Sequence, residues 1–223
     1  MNQKTQQLAV LVIDDHPLIA NGTLDILQKS NPEAKIAIAR SAQEAVQAIK
    51  ISQPDLVIVD LSIPEKSGDT AQTEIGLLLL KNLMANYPDL NITVQSSYVK
   101  ALMRIKHEID NHHGGFTVAD KKLSTQDLLT RIKIALDGGS HTKDLKMELE
   151  IKPEWLEVLR LAFEEGLQDK AIAAQMYKSE RMIRNYWTKI QDALEIYPEE
   201  DKKEGKNIRA LTQIRAKEEG LID

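Results

Sequence analysis

Apolar and polar positions along this chain follow two different rhythms. Residues 8–13, LAVLVI, form a continuous, largely β-branched run bounded by polar residues, which predicts a strand buried on both faces. Residues 18–27 then space their apolar side chains at helical intervals. The alternation continues with a strand over 35–40, a helix over 41–49 that Ser41 is placed to cap, and a strand over 56–59. A helix over 74–88, a strand over 91–97 and a mixed helix over 99–109 come next. The glycine pair at 114–115 opens a strand that runs to residue 120. An amphipathic helix follows from Ser124, stopped by Gly138 and Gly139. Five strands alternating with helices predict a doubly wound, five-stranded parallel α/β sheet with right-handed crossovers.

After Gly139 the rhythm changes. Residues 140–152, SHTKDLKMELEIK, carry no period and read as a linker. From Pro153 the strand signal disappears, and the segments 153–167, 169–178, 179–196 and 208–221 are all helical. The pattern therefore divides the chain into an α/β domain over 1–139, a linker over 140–152 and a small all-α domain over 153–223.

Composition narrows this picture. Apolar residues make up 42% of the 223 positions, close to the globular average, while aromatics are only 4%. The cores must therefore be built from Leu, Ile, Val and Ala. There is no cysteine, which excludes disulfides, thiolate metal sites and cysteine nucleophiles. Neither a signal-peptide pattern nor an apolar run long enough to span a bilayer is visible, so the expectation is a soluble cytoplasmic protein without membrane partners. The net charge of −5 argues mildly against indiscriminate nucleic-acid binding.

The first strand ends in two adjacent carboxylates, Asp14 and Asp15, and the third ends in Asp60. In an open α/β sheet, functional groups gather where strands end at their carboxyl edge, so these three acids converge in one crevice. Two carboxylates a few ångströms apart repel by several kcal/mol even at an effective dielectric of about 20. Any one such Asp could be a turn residue, but three together call for a cation. With three oxygen-rich groups and no His or Cys expected as ligands nearby, the expected ion is Mg²⁺ before Zn²⁺. His16, just before Pro17, reads as a turn residue, and His112 and His113 as a loop pair.

The stretches VLVIDDHPLIANGTLDIL, PDLVIVDLSIP and GGFTVAD resemble the receiver domain of two-component response regulators, over about residues 7–139. The whole chain resembles the NarL/FixJ class, which joins a flavodoxin-like receiver to a LuxR-type helix-turn-helix. The resemblance implies that Asp60 is the phosphoacceptor, and that Asp14 and Asp15 hold Mg²⁺ together with Asp60 and the backbone carbonyl of Ser62. It implies a sensor histidine kinase as phosphodonor, and no enzymatic activity in the usual sense, so no catalytic residues are assigned. Ser96, with Ser97 as second choice, matches the hydroxyl that ends the fourth strand, and Phe116 matches the switch aromatic. The family's lysine follows the fifth strand in a pattern like GYLLK. Read in that register the position is Ala119, and Lys121 lies two residues further on. Either the loop brings Lys121 to the phosphate or the pocket lacks its lysine. The polar stretch over 65–74 is also longer than the usual link.

In the second domain, residues 169–194 read as helix, tight turn, helix, with Ser179 capping the second helix. Met182, Ile183, Tyr186 and Ile190 are expected on its inner face. Arg181, Arg184, Asn185, Thr188 and Lys189 fall outside, able to bond phosphates and base edges in a major groove. The resemblance makes Arg184, Asn185 and Thr188 base-facing, with Lys178 and Lys189 near phosphates. Residues 151–223 hold 13 Lys and Arg against 15 Asp and Glu, as in a helical bundle with a solvated charged face. Positive charge is concentrated in residues 178–189, however, with four basic residues and one acid. The expectation is a DNA-binding homodimer paired through Ile208, Leu211 and Ile214. The rival reading is a pseudo-receiver adaptor, independent of phosphate, that acts through protein contacts.

Overall fold

The computed structural model describes residues 7–141 and 151–222. Most of the predicted linker, residues 142–150, lies outside them. The chain divides into two compact units, an α/β unit and a helical one.

In the α/β unit the elements run β1 (Ala9–Ile13), α1 (Pro17–Ser30), β2 (Lys35–Ala39), α2 (Ala42–Ile51), β3 (Leu56–Val59), α3 (Thr73–Asn86) and β4 (Asn91–Ser96). A 3₁₀ segment (Val99–Ile105), α4 (Lys106–Asp110), β5 (Phe116–Asp120), α5 (Thr125–Leu136) and β6 (Ser140–His141) complete it. All neighbouring strands pair in parallel, in the order β2-β1-β3-β4-β5-β6. The doubly wound sheet is thus as expected, with one correction to its count. Ser140 and His141, read as the start of the linker, add a two-residue sixth strand beside β5. A strand that short carries no periodicity and is invisible to pattern reading.

Both faces of the sheet are covered, so strands such as LVIV are buried throughout. Val10, Val12, Leu56 and Ile58 pack with Ala20 and Leu27 of α1 and with Leu128, Ile132 and Ala135 of α5. Ser41 caps α2 by accepting from the Glu44 amide, as predicted. Gly138, at φ +73°, terminates α5 in a left-handed turn that a side chain would resist. The helix expected over 99–109 is split instead. Val99, Leu102 and Ile105 are buried at a spacing of three, which suits the 3₁₀ period, and only one α-helical turn follows.

The helical unit contains α6 (Pro153–Phe163), α7 (Asp169–Gln175), α8 (Glu180–Ala193), α9 (Pro198–Lys203) and α10 (Ile208–Glu218). The short α9 carries Glu199, Glu200 and Asp201 in its first turn and Lys202 and Lys203 in its last. Val158, Leu159, Leu161, Ile172, Ile183, Trp187 and Ile190 form its core. The inner face of α8 therefore differs from expectation: Trp187 is buried, whereas Met182 is 42% exposed. Helical geometry explains this, because Ile183, Trp187 and Ile190 fall at intervals of four and three, and Met182 lies about 100° off that stripe. Asp169 ties three helices together. Its Oδ1 accepts from Trp187 Nε1 at 2.9 Å and from Arg209 Nη1 at 3.1 Å, and the Arg209 guanidinium sits 3.9 Å over the Trp187 ring.

Candidate functional site

Strand register builds the acidic site. Ile13 of β1 pairs with Val59 of β3, so Asp14 and Asp60 leave adjacent strands side by side at the carboxyl edge. Each is fixed by its backbone, Asp60 N donating to Ile13 O at 2.8 Å and Asp14 N to Ala39 O at 3.1 Å. Both side chains are almost wholly buried. Asp14 Oδ1 also accepts from the His16 amide at 2.8 Å, and Asp60 Oδ1 from the Ser62 amide at 3.3 Å. Helix α3 presses on this turn from one side. A Cβ on Gly76 would stand 2.0 Å from Leu61 O, so only glycine permits the approach.

Lys121 reaches the acids. Its Nζ donates to Asp60 Oδ2 at 2.7 Å and to Asp14 Oδ2 at 2.8 Å, with 14% of the side chain exposed. Burial works against its charge, but the hydrogen bonds to Asp14 and then Asp60 outweigh that and hold its pKa above the ordinary lysine value. Of the two possibilities left open by the sequence, the pocket has its lysine. The reason is register: β5 pairs Asp120 with Ser96, and Lys121 N donates to Ser96 O at 3.3 Å, so the strand ends two residues later than the motif count implied.

The same shift corrects the aromatic. Counted back from Lys121, the GYLLK position is Val118, which is buried, while Phe116 pairs with Ile92 at the far end of β5. Phe116 is 1% exposed and lies edge-on to His112, away from the acids. Ser96 is fully buried at the end of β4, where its hydroxyl accepts from the Tyr98 amide at 3.2 Å; Ser97 is exposed. The long polar stretch does not intrude. Residues 65–70 are exposed, and the loop is closed by the bridge between Ile63 and Gln72.

Pattern reading missed His16. Its Nδ1 lies 2.8 Å from Asp15 Oδ1 and 3.4 Å from Asp14 Oδ1, and one ligand atom each from Asp14, Asp15, His16 and Asp60 fall within 4.8 Å of one another. A cation fits this set. Despite the nearby imidazole, Asp15 Oδ1 is buried without a hydrogen bond, and the Lys121 ammonium is bonded to Asp14 and Asp60.

In the helical unit, Ser179 caps α8 by accepting from the Met182 amide. Lys178, Arg181, Arg184, Asn185, Thr188 and Lys189 are all exposed. Their mutual ties are loose: Arg184 is 4.0 Å from Glu180 and Lys189 is 3.9 Å from Asp192, while Thr188 Oγ1 donates to Arg184 O. The predicted pairing strip on α10 is narrower than expected. Ile208 and Leu211 pack into their own core, and only Ile214 is exposed.

Comparison with known proteins agrees with this geometry. The family model described as the response regulator receiver domain matches residues 10–133. The chain is 22% identical over 201 residues to the DNA-binding transcriptional activator DevR/DosR of Mycobacterium tuberculosis, covering 81% of this chain and 85% of that one. It is 29% identical to a nitrate/nitrite response regulator homolog of Haemophilus influenzae, covering 80% and 86%. In fold it resembles the response regulator RcsB solved with DNA, with a TM-score of 0.62 at 19% identity, covering 96% of this chain and 99% of that one. Among the described residues no helix is long and apolar enough to cross a membrane.

Proposed function

Because the chain belongs to the response regulator receiver family, we propose that it is a transcription regulator whose DNA binding is controlled by phosphorylation of Asp60. The observation that carries this reading is the Lys121 ammonium bridging Asp14 and Asp60 at the carboxyl edge of the sheet. A pseudo-receiver has no need of that buried cation, so the same contact favours phosphoryl chemistry over the adaptor reading.

In the proposed step a carboxylate oxygen of Asp60 attacks phosphorus, an O–P bond forms, and the donor leaves with the electrons of its own bond to phosphorus. The donor is a sensor histidine kinase or a small acyl phosphate. Asp14, Asp15, Asp60 and the Ser62 carbonyl would hold Mg²⁺, which when bound neutralises charge on the phosphoryl oxygens. Lys121 would transfer its hydrogen bond from Asp60 Oδ2 to a phosphoryl oxygen, and the Ser96 hydroxyl would turn from the Tyr98 amide to another. The modification replaces the single charge of the Asp60 carboxylate with about two on the phosphoryl group, a net gain of about one at the carboxyl edge beside β3 and β4. Ser96, without an aromatic partner, is then the start of the switch.

Residues 1–141, with β6 included, are assigned as the receiver and 153–223 as the helix-turn-helix domain, joined by a linker that begins after His141. The exposed basic face of α8 and the DNA-binding names of the relatives support DNA as partner. A homodimer follows, because one recognition helix contacts few base pairs. The reading places the protein in the cytoplasm and outside the enzymes.

Intact-mass measurement after treatment with acetyl phosphate tests it. One labile phosphoryl group is expected in the presence of Mg²⁺ and none in Asp60→Asn. Absence of incorporation into the wild type at saturating Mg²⁺ would leave the adaptor reading standing.

A further inference from the structure

Among the large apolar side chains exposed in the described helical unit, Tyr177 and Met182 lie at one place, the turn into α8 and its first turn. A scattered exposed apolar side chain needs no explanation. Met182 differs because it shares a side of α8 with the exposed Asn185 and Lys189, at the edge of the face that carries the unit's concentrated positive charge. The core does not require it, since Ile183, Trp187 and Ile190 already fill the inner stripe.

Met182, Asn185 and Lys189 follow one another at intervals of three and four, so they form a single strip along the exposed face of α8. An Asn side chain can bond adenine bidentately at N6 and N7 in the major groove. The partner of that adenine is thymine, whose 5-methyl group is the apolar feature of the same groove edge. Side chains three apart on a helix lie about 5–6 Å from each other, within reach of one base pair or two adjacent ones. Lys189, further along the strip, can meet the phosphate backbone.

We infer that Met182 is a specificity residue that packs on a thymine 5-methyl group, beside an A·T pair read by Asn185, so that the operator half-site contains an obligatory T·A step. This rests on the DNA-binding reading above. The basic surroundings of Met182 argue for DNA over a protein partner, because a polyanion neutralises Lys178, Arg181, Arg184 and Lys189 while the thioether loses its contact with water.

The test uses the full chain and a duplex enriched by the wild-type protein from a random-sequence pool. Each thymine of the enriched half-site is replaced in turn by deoxyuridine, which removes only the methyl group. Wild-type affinity is expected to fall about fourfold at one thymine, the factor corresponding to one buried methyl group. Met182→Ala should bind the thymine duplex about as weakly as the wild type binds that deoxyuridine duplex, and lose nothing further on substitution. Met182→Leu should keep the methyl dependence. Enrichment of a sequence without any methyl-dependent thymine, or equal methyl dependence in wild type and Met182→Ala, would overturn the inference while leaving DNA binding intact. Enrichment of no sequence at all would overturn the DNA-binding reading and this inference with it.

Discussion

Lys121 is the residue on which the α/β unit's chemistry turns, because it compensates two carboxylates at once. Removing one partner of a buried ion pair is strongly destabilising, by about 3–5 kcal/mol, since the other charge stays behind uncompensated. In Lys121→Ala two nearly buried acids, Asp14 and Asp60, would be left, with Asp15 beside them. The variant is therefore expected to melt well below the wild type without metal. It should also regain more stability from Mg²⁺ than the wild type does, because the ion no longer competes with an ammonium. Thermal denaturation of both proteins with and without Mg²⁺ checks this. An equal Mg²⁺ response in the two would show that the ion and the ammonium do not share these oxygens. The motif alone puts Ala119 at the lysine position and leaves open whether Lys121 reaches the acids. The decision came from the pairing at the end of β5, where Asp120 lies opposite Ser96 and the Lys121 amide donates to Ser96 O.

At the scale of elements, the site is held by how α3 seats on the turn after β3. The Leu61 carbonyl occupies the space where Gly76 would carry a side chain. Gly76→Ala must push helix and turn apart, and overpacking of this kind costs about 1–3 kcal/mol. The displaced turn includes Asp60 and Ser62, so the variant is expected to lose Mg²⁺-dependent stabilisation as well as general stability. Calorimetry with and without Mg²⁺ separates the two effects, and an undiminished Mg²⁺ response would show that the turn does not move with the helix. In the helical unit the comparable device is Asp169, which satisfies both the Trp187 indole and the Arg209 guanidinium. Helix α8 is thereby anchored on its inner side, while Arg184 and Lys189 on its outer side make only long contacts with Glu180 and Asp192.

For the whole molecule, the question is whether the basic face of α8 binds DNA in spite of an excess of acids in its own domain. Arg184 is 65% exposed, so Arg184→Ala should change folding stability by less than about 0.5 kcal/mol. If it reads a base, specific affinity should fall by about 1–3 kcal/mol and selectivity at one position should relax. Lys189→Ala should instead weaken binding to all sequences alike and reduce the salt slope by about 1. Binding titrations at several salt concentrations distinguish the two patterns. If both variants bind every duplex as the wild type does, the exposed charges are a solvated face and nothing more.

Much of this protein is set by local pattern. Runs such as LAVLVI and PDLVIVDLSIP specify buried parallel strands because β-branched residues without polar interruption have no other stable placement. A carboxylate directly after such a strand is bound to emerge at the functional edge, so Asp14, Asp15 and Asp60 could be brought together on paper. Ser179 and Ser41 announce their helices by the same local logic, since a cap needs only its own first turn. The rest depended on pairing across the sheet and on helical phase in the fold. Register moved the pocket lysine to Lys121 and removed Phe116 from the site. The side chain that α8 buries, Trp187 rather than Met182, followed from which stripe faces α6 and α7. Those outcomes depend on contacts between residues far apart in the chain, whose energies no short window of sequence contains.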